Sequence, residues 1–142
     1  MAHPSEDTRN VALVGNGHAG KTALLDAIAF HQKLTTRLGT VSDGSSISNT
    51  EPEERDRKQT LTSHQFRIPL GSVRLNVIDT PGHPDFVADA ISAMDAVETA
   101  CLVVNATHAL PFHTRQLWRI ATDRGIGRAI VVTHLDQENT DF

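Results

Sequence analysis

The sequence holds one cysteine, so no internal disulfide can form, and Cys101 lies in the apolar run 100–104, where a thiol reads as a small buried hydrophobe. It has no stretch long and apolar enough to span a membrane, and the first ten residues lack the apolar core of a signal peptide. No membrane partner is therefore expected, and the expected compartment is the cytoplasm. A long basic run is also missing, and the net charge is −4. This argues against a free-standing nucleic-acid-binding module, which would need a basic patch to neutralise phosphates. Internal repeats and low-complexity tracts are absent as well. The 142 residues, 39% hydrophobic and 21% charged, make at most one domain, long enough to bury a core.

Residues 1–8 are polar, contain Pro4, and read as a disordered tail. Val11–Val14 is a short apolar run ending at glycine, suited to a buried parallel strand. After the loop Gly15–Gly20, the segment Lys21–Gln32 carries Leu24, Leu25 and Ile28 at helical spacing. Residues 34–62 have low hydrophobicity, dense charge and little periodicity, and read as a long surface loop, either functional or disordered. His64–Leu70 and Val73–Ile78, split by Gly71-Ser72, read as a β-hairpin. Asp85–Val97 and His113–Arg124 read as helices, and Cys101–Val104 and Ala129–Val132 as strands. Five strands alternating with helices predict a three-layer α/β/α fold with a mostly parallel sheet.

Gly15-Asn16-Gly17-His18-Ala19-Gly20-Lys21-Thr22 fits the P-loop pattern G-x-x-x-x-G-K-[ST] between a strand and a helix. The glycines let backbone N–H groups turn inward toward phosphate oxygens, and the following helix adds the positive end of its dipole. Lys21 is expected to reach the β- and γ-phosphates, and the Thr22 hydroxyl to ligate Mg2+. The competing reading is a glycine-rich turn without a ligand. Downstream, Asp79-Thr80-Pro81-Gly82 places a carboxylate at a strand end and a glycine three positions later. That suits a γ-phosphate sensor, with Asp79 on Mg2+ through water and the Gly82 N–H on the phosphate.

The run Asp79-Thr80-Pro81-Gly82-His83-Pro84-Asp85-Phe86 closely resembles the D-T-P-G-H-x-D-F signature of translational GTPases. With Arg9-Asn10-Val11, the segment Glu51–Thr62, Asp136 and Asp141-Phe142, the chain resembles the G domain of translation elongation factor G from about residue 9 to 142. That resemblance implies a Ras-like P-loop G domain that binds GTP or GDP with Mg2+. It also implies a ribosomal partner, at the sarcin-ricin loop region, for a full-length protein whose other domains supply basic surface. Residues 34–62 become switch I, with Thr60 closing over Mg2+ and γ-phosphate, and residues 79–88 become switch II. His83 becomes the residue that orients the attacking water, against the alternative of an exposed loop histidine. His3, His31, His64, His108 and His113 receive no role.

Three positions depart from the family. His18 replaces an aspartate associated with a monovalent cation, Lys58 replaces the glycine of switch I R-G-I-T, and Thr133-His134-Leu135-Asp136 stands for N-K-x-D. Asp136 can accept hydrogen bonds from the guanine N1–H and exocyclic amine. Thr133 is expected to replace part of the asparagine's bonding, and His134 to lie against the base. A strand-end aspartate capping a turn is the plain alternative for Asp136. A full G domain of this type continues with a helix, a sixth strand and a closing helix. The chain thus reads as truncated after the fifth strand, either a fragment of a larger protein or a truncated reading frame, and the isolated polypeptide is expected to be marginal or aggregation-prone. A GTP-dependent switch with little hydrolysis of its own is the other functional reading.

Overall fold

The computed structural model describes residues 7–138 and 140. A five-stranded sheet is built from β1 (Thr8–Val14), β2 (His64–Leu70), β3 (Val73–Asp79), β4 (Thr99–Asn105) and β5 (Gly127–Thr133), in the spatial order β2-β3-β1-β4-β5. β2 and β3 pair antiparallel as the predicted hairpin, and the remaining pairs are parallel. The helices are α1 (Lys21–His31), α2 (Pro52–Arg57), α3 (Val87–Asp95) and α4 (Phe112–Asp123), with a 3-10 turn over Pro84–Phe86.

Strand side chains alternate faces, and this divides the core in two. Ala12, Val14, Ala100 and Leu102 face α3 and α4, packing with Ala90, Met94, Val97, Leu117 and Ala121. Leu13, Cys101 and Val77 face the opposite way with Leu25 of α1 and Ile68 of β2. The predicted three-layer α/β/α architecture follows. Cys101 is buried, and burial pushes its thiol above the usual range.

Several boundaries differ from the sequence reading. β1 begins at Thr8, so that residue belongs to the sheet and not to a tail, while residues 1–6 lie outside the described residues. Thr8 pairs with Arg74 and Arg9 with Leu75, partners more than sixty positions away that no local pattern reveals. The segment 34–62 is not all loop, because it contains α2. That helix is polar throughout, yet Glu51 and Glu54 form a capping box, Pro52 occupies the first turn, and Arg55 and Arg57 complement the last. Asp141 and Phe142, which carry part of the resemblance, lie outside the described residues.

Parallel pairing sets the site. Leu13 pairs with Asp79 and Val14 with Leu102, while Asn105 pairs with Thr133. The C-terminal ends of β1, β3, β4 and β5 therefore meet along one edge, where ligands bind in open α/β sheets. Antiparallel β2 enters at that edge, with His64 opposite Asp79, so the segment preceding it is delivered there too. β5 lies at the other side of the sheet as an edge strand, and Ile130 on it is 57% exposed.

Candidate functional site

The P-loop leaves β1 at Gly15, whose φ of 141° is open to glycine and whose Cα faces the Val103 carbonyl too closely to admit a side chain. Gly20 caps α1 with φ 90°. His18, between them, takes φ 59° in the left-handed region, an uncommon choice for a residue with a side chain, and its ring is exposed. Ala19 is buried, and its carbonyl accepts from the Thr133 hydroxyl at 2.8 Å.

Lys21 turns back across the loop. Its Nζ donates to the carbonyls of Gly15 at 3.1 Å and Asn16 at 2.9 Å, and the residue is 6% exposed. Burial lowers its pKa to about 8, an effect that the nearby Asp79 partly reverses. At the next position, the Thr22 hydroxyl donates to Asp79 Oδ2 at 2.8 Å and lies 3.0 Å from the Thr60 hydroxyl. Ser48 donates to the same Asp79 oxygen at 2.7 Å. Asp79 is fully buried, and burial raises its pKa against the hydrogen bonds from Ser48 and Thr22. Its other oxygen, Oδ1, is buried without a hydrogen-bond partner.

The Asp79–Gly82 turn folds onto the P-loop. Thr80 donates its hydroxyl to the Leu13 carbonyl at 2.7 Å. A Cβ on Gly82 would lie 2.6 Å from the Gly17 nitrogen and 2.7 Å from the Asn16 carbonyl, as well as against Lys21 Nζ. Only glycine allows this approach. His83 follows at the rim, about half exposed, with Nδ1 accepting from the Asp85 N–H at 3.3 Å.

These parts enclose a cavity of about 440 Å3. Its walls are the P-loop and α1 residues Asn16–His18 and Gly20–Ala23, Val41 and Lys58–Thr60, Thr80 with Gly82–Pro84, and His134. The predicted phosphate residues, the Thr60 hydroxyl and His83 are thus brought together. The exception is the base end. The Thr133 hydroxyl is engaged with the carbonyls of Ala19 and Val104, at 2.8 and 3.1 Å, so it ties β5 to the P-loop. Asp136 is exposed in the turn after His134 and forms no part of the cavity wall. His134 does line it, with φ 58° and Nδ1 2.9 Å from the Thr133 hydroxyl.

A family model described as the elongation factor Tu GTP binding domain matches residues 6–142. The chain belongs to that family. Among curated relatives it is 29% identical over 139 residues to mitochondrial ribosome-releasing factor 2 of Debaryomyces hansenii, covering 98% of this chain and 16% of the relative. The same factor of Drosophila willistoni is 30% identical, covering 97% and 19%. An elongation factor G-like protein of Mycobacterium tuberculosis is 29% identical, covering 94% and 19%. A solved structure of a Thermus thermophilus protein superposes with a TM-score of 0.86 at 31% identity, over 90% of this chain and 19% of that one. The chain therefore spans less than a fifth of the length of these relatives.

As a G domain of the translational GTPase family, the chain fits Mg2+ by its own chemistry. The hydroxyls of Thr22 and Thr60 and the buried Asp79 carboxylate are hard oxygen donors, and the unpartnered Asp79 Oδ1 is the acceptor that a metal-bound water requires. No cluster of three or more His, Cys, Asp or Glu suited to a metal occurs among the described residues, so a metal here depends on hydroxyls.

Sequence reasoning missed several residues of this G domain. Ser48 carried no signal, being one of several serines in a polar segment. Glu54 is fully buried, accepts from the Leu61 and Thr62 N–H groups at 2.9 and 3.3 Å, and bonds His64 Nε2 at 3.0 Å. Burial would raise its pKa, but the bonds from His64, Leu61 and Thr62 outweigh it and hold the carboxyl low. His64, given no role from the sequence, is the partner that completes this anchor. The capping-box spacing of Glu51 and Glu54 was the one available clue. Lys58 ends α2 with φ 53°, a left-handed conformation that glycine adopts without strain.

Proposed function

We propose that this chain is the GTP-binding and GTP-hydrolysing G domain of an elongation factor G-like translation factor that acts on the ribosome. The observation that carries the reading is the convergence of Lys21, Thr22 and Thr60 on one cavity that has His83 at its rim, with the buried Asp79 carboxylate bonded to Thr22 behind its wall. In this reading the P-loop N–H groups from Gly15 to Thr22 hold the phosphates. Lys21 exchanges its two carbonyl partners for phosphate oxygens. Thr22 and Thr60 would hold Mg2+ directly, with Asp79 acting through water, and the ion would supply positive charge to offset that of the β- and γ-phosphates.

His83 acts on the attacking water. Its Nδ1 accepts from Asp85, which leaves the neutral ring's proton on Nε2. Such a ring orients water as a donor, and in-line attack on the γ-phosphate follows once the ribosome's sarcin-ricin loop region engages the site. Gly82 senses the γ-phosphate through its N–H, and loss of that phosphate releases the turn. Guanine is selected by Asp136, with the turn after β5 closing on the base when nucleotide enters and His134 lying against it. The work takes place in the cytoplasm, within a longer protein.

Ribosome-stimulated phosphate release from GTP tests this. His83→Ala is expected to lower the stimulated rate about 10²–10⁴-fold while GTP binding persists. GTP retained without stimulated release would leave only a nucleotide-dependent switch. Equal affinity for ATP and GTP would remove the guanine assignment, and Asp136→Asn is expected to favour XTP.

A further inference from the structure

Thr60 meets the metal-site carboxylate only through Thr22, whereas an upstream residue of switch I bonds it directly. Ser48, well upstream, is fully buried and donates its hydroxyl to Asp79 Oδ2 at 2.7 Å. Its approach is built from several directions. The Ser45 and Ser46 N–H groups both donate to the Thr40 carbonyl at 3.1 Å, closing a turn. Asp26 of α1 accepts from the Ile47 N–H at 3.0 Å, and the Ser46 hydroxyl accepts from the Ser48 N–H at 3.1 Å. The segment is thus pinned to α1 before it meets Asp79, and the Ser48 hydroxyl is delivered on a restrained backbone.

The consequence lies in how protons are shared. Thr22 has one hydroxyl proton and gives it to Asp79 Oδ2. Its remaining lone pairs then face the Thr60 hydroxyl. With Ser48 also on Oδ2, that oxygen is satisfied twice and Oδ1 is left without a partner. Two donors on one oxygen fix the plane of the carboxylate, which a single bond from Thr22 would leave free to rotate. Groups that orient a metal-site carboxylate in this way tune its affinity.

We propose that Ser48 is a positioning residue for Mg2+. It holds Asp79 from switch I so that Oδ1 faces the metal's water, and it couples the upstream half of switch I to nucleotide retention. The proposal rests on the GTP-binding reading above, and its test separates the two.

The chain is loaded with a fluorescent methylanthraniloyl-GDP, and release is timed across a Mg2+ titration and in EDTA. Ser48→Ala is expected to raise the Mg2+ concentration for half-maximal retention about tenfold, leaving the EDTA rate unchanged. Ser48→Thr keeps the hydroxyl and is expected to stay near the unsubstituted chain. Equal acceleration with and without Mg2+ would mean that Ser48 only fills space, and an unchanged half-point would likewise overturn the proposal. Should Ser48→Ala fail to fold, Ser46→Ala removes the acceptor for the Ser48 N–H and must shift the half-point in the same direction; an unshifted value overturns the proposal. An unsubstituted chain whose nucleotide release ignores Mg2+ would refute the functional reading itself.

Discussion

Lys21 makes nucleotide affinity depend on pH in a way that can be worked out beforehand. Its amine is 6% exposed and bonded only to two carbonyls, and burial lowers its pKa to about 8, with Asp79 opposing. A phosphate placed against the amine restores the preference for charge, so binding takes up a proton. With a pKa of about 8, uptake per nucleotide is about 0.1 at pH 7, about 0.5 at pH 8 and about 0.9 at pH 9. The charged amine binds, so affinity is highest below pH 8 and falls as pH rises. The loss is about twofold at pH 8 and about elevenfold at pH 9, or about 1.4 kcal/mol. Calorimetry with GDP in two buffers of different ionisation enthalpy, between pH 7.5 and 9, measures the uptake. EDTA keeps Mg2+ away, so that the count reports Lys21 and the phosphates alone. Lys21→Arg should abolish the linkage, since arginine stays charged. Heats independent of buffer at pH 8 and 9 would show that Lys21 is charged throughout and would refute the reasoning.

Gly82→Ala is expected to weaken nucleotide binding by about 1–3 kcal/mol, because its Cβ would lie 2.6 Å from the Gly17 nitrogen and 2.7 Å from the Asn16 carbonyl; equilibrium binding of labelled GDP reads this, and an unaltered Kd would contradict it. Thr133→Val, nearly isosteric, removes the hydroxyl that joins β5 to the Ala19 and Val104 carbonyls. A lower Tm, equivalent to about 1–2 kcal/mol, is expected, together with faster nucleotide release; an unchanged melt would show that the tie is idle. Glu54→Gln tests the switch I anchor through acid stability. Because the Glu54 carboxyl is held low, its contribution is present above the ordinary glutamate range and is lost as pH falls through the folded value. The Tm gap between Glu54→Gln and the unsubstituted chain should therefore be wide at pH 7 and narrow as pH falls below the ordinary glutamate range, and a gap that does not narrow in acid would count against the anchor.

The legible parts of the fold were those whose signal is local. Apolar runs marked all five strands within a few residues, and Gly71-Ser72 marked the hairpin, because alternation and turn chemistry act between neighbours in sequence. Thr8 and Arg9 were missed as strand residues because they are held by β3 across the sheet. α2 was missed because it has no apolar stripe. Its polar residues form a helix through the Glu51–Glu54 box and through Glu54 reaching His64, a contact that periodicity cannot report. In the site, the spacing Gly15–Thr22 and Asp79–His83 was sufficient to place the expected phosphate residues on one sheet edge. That the Thr133 hydroxyl bonds Ala19 was not legible, because the two lie 114 positions apart in the chain.

By itself, the sequence determined a P-loop and a carboxylate-glycine turn, each a short run whose chemistry is complete within its own backbone. It also determined, through the order of those motifs, the family to which the chain belongs. Only the tertiary structure decided which oxygens share Asp79. Thr22 and Ser48 share one Asp79 oxygen and Thr60 bonds Thr22; α1 and two separated points of the segment 34–62 supply these groups, and their meeting depends on parallel strand register, on α1 holding Ile47 and on Glu54 holding Leu61 and Thr62. Hydroxyl groups occur throughout the polar stretch from residue 35 to 63. The backbone restraints from α1 and Glu54, which are properties of the folded chain, deliver Ser48 and Thr60 to the site.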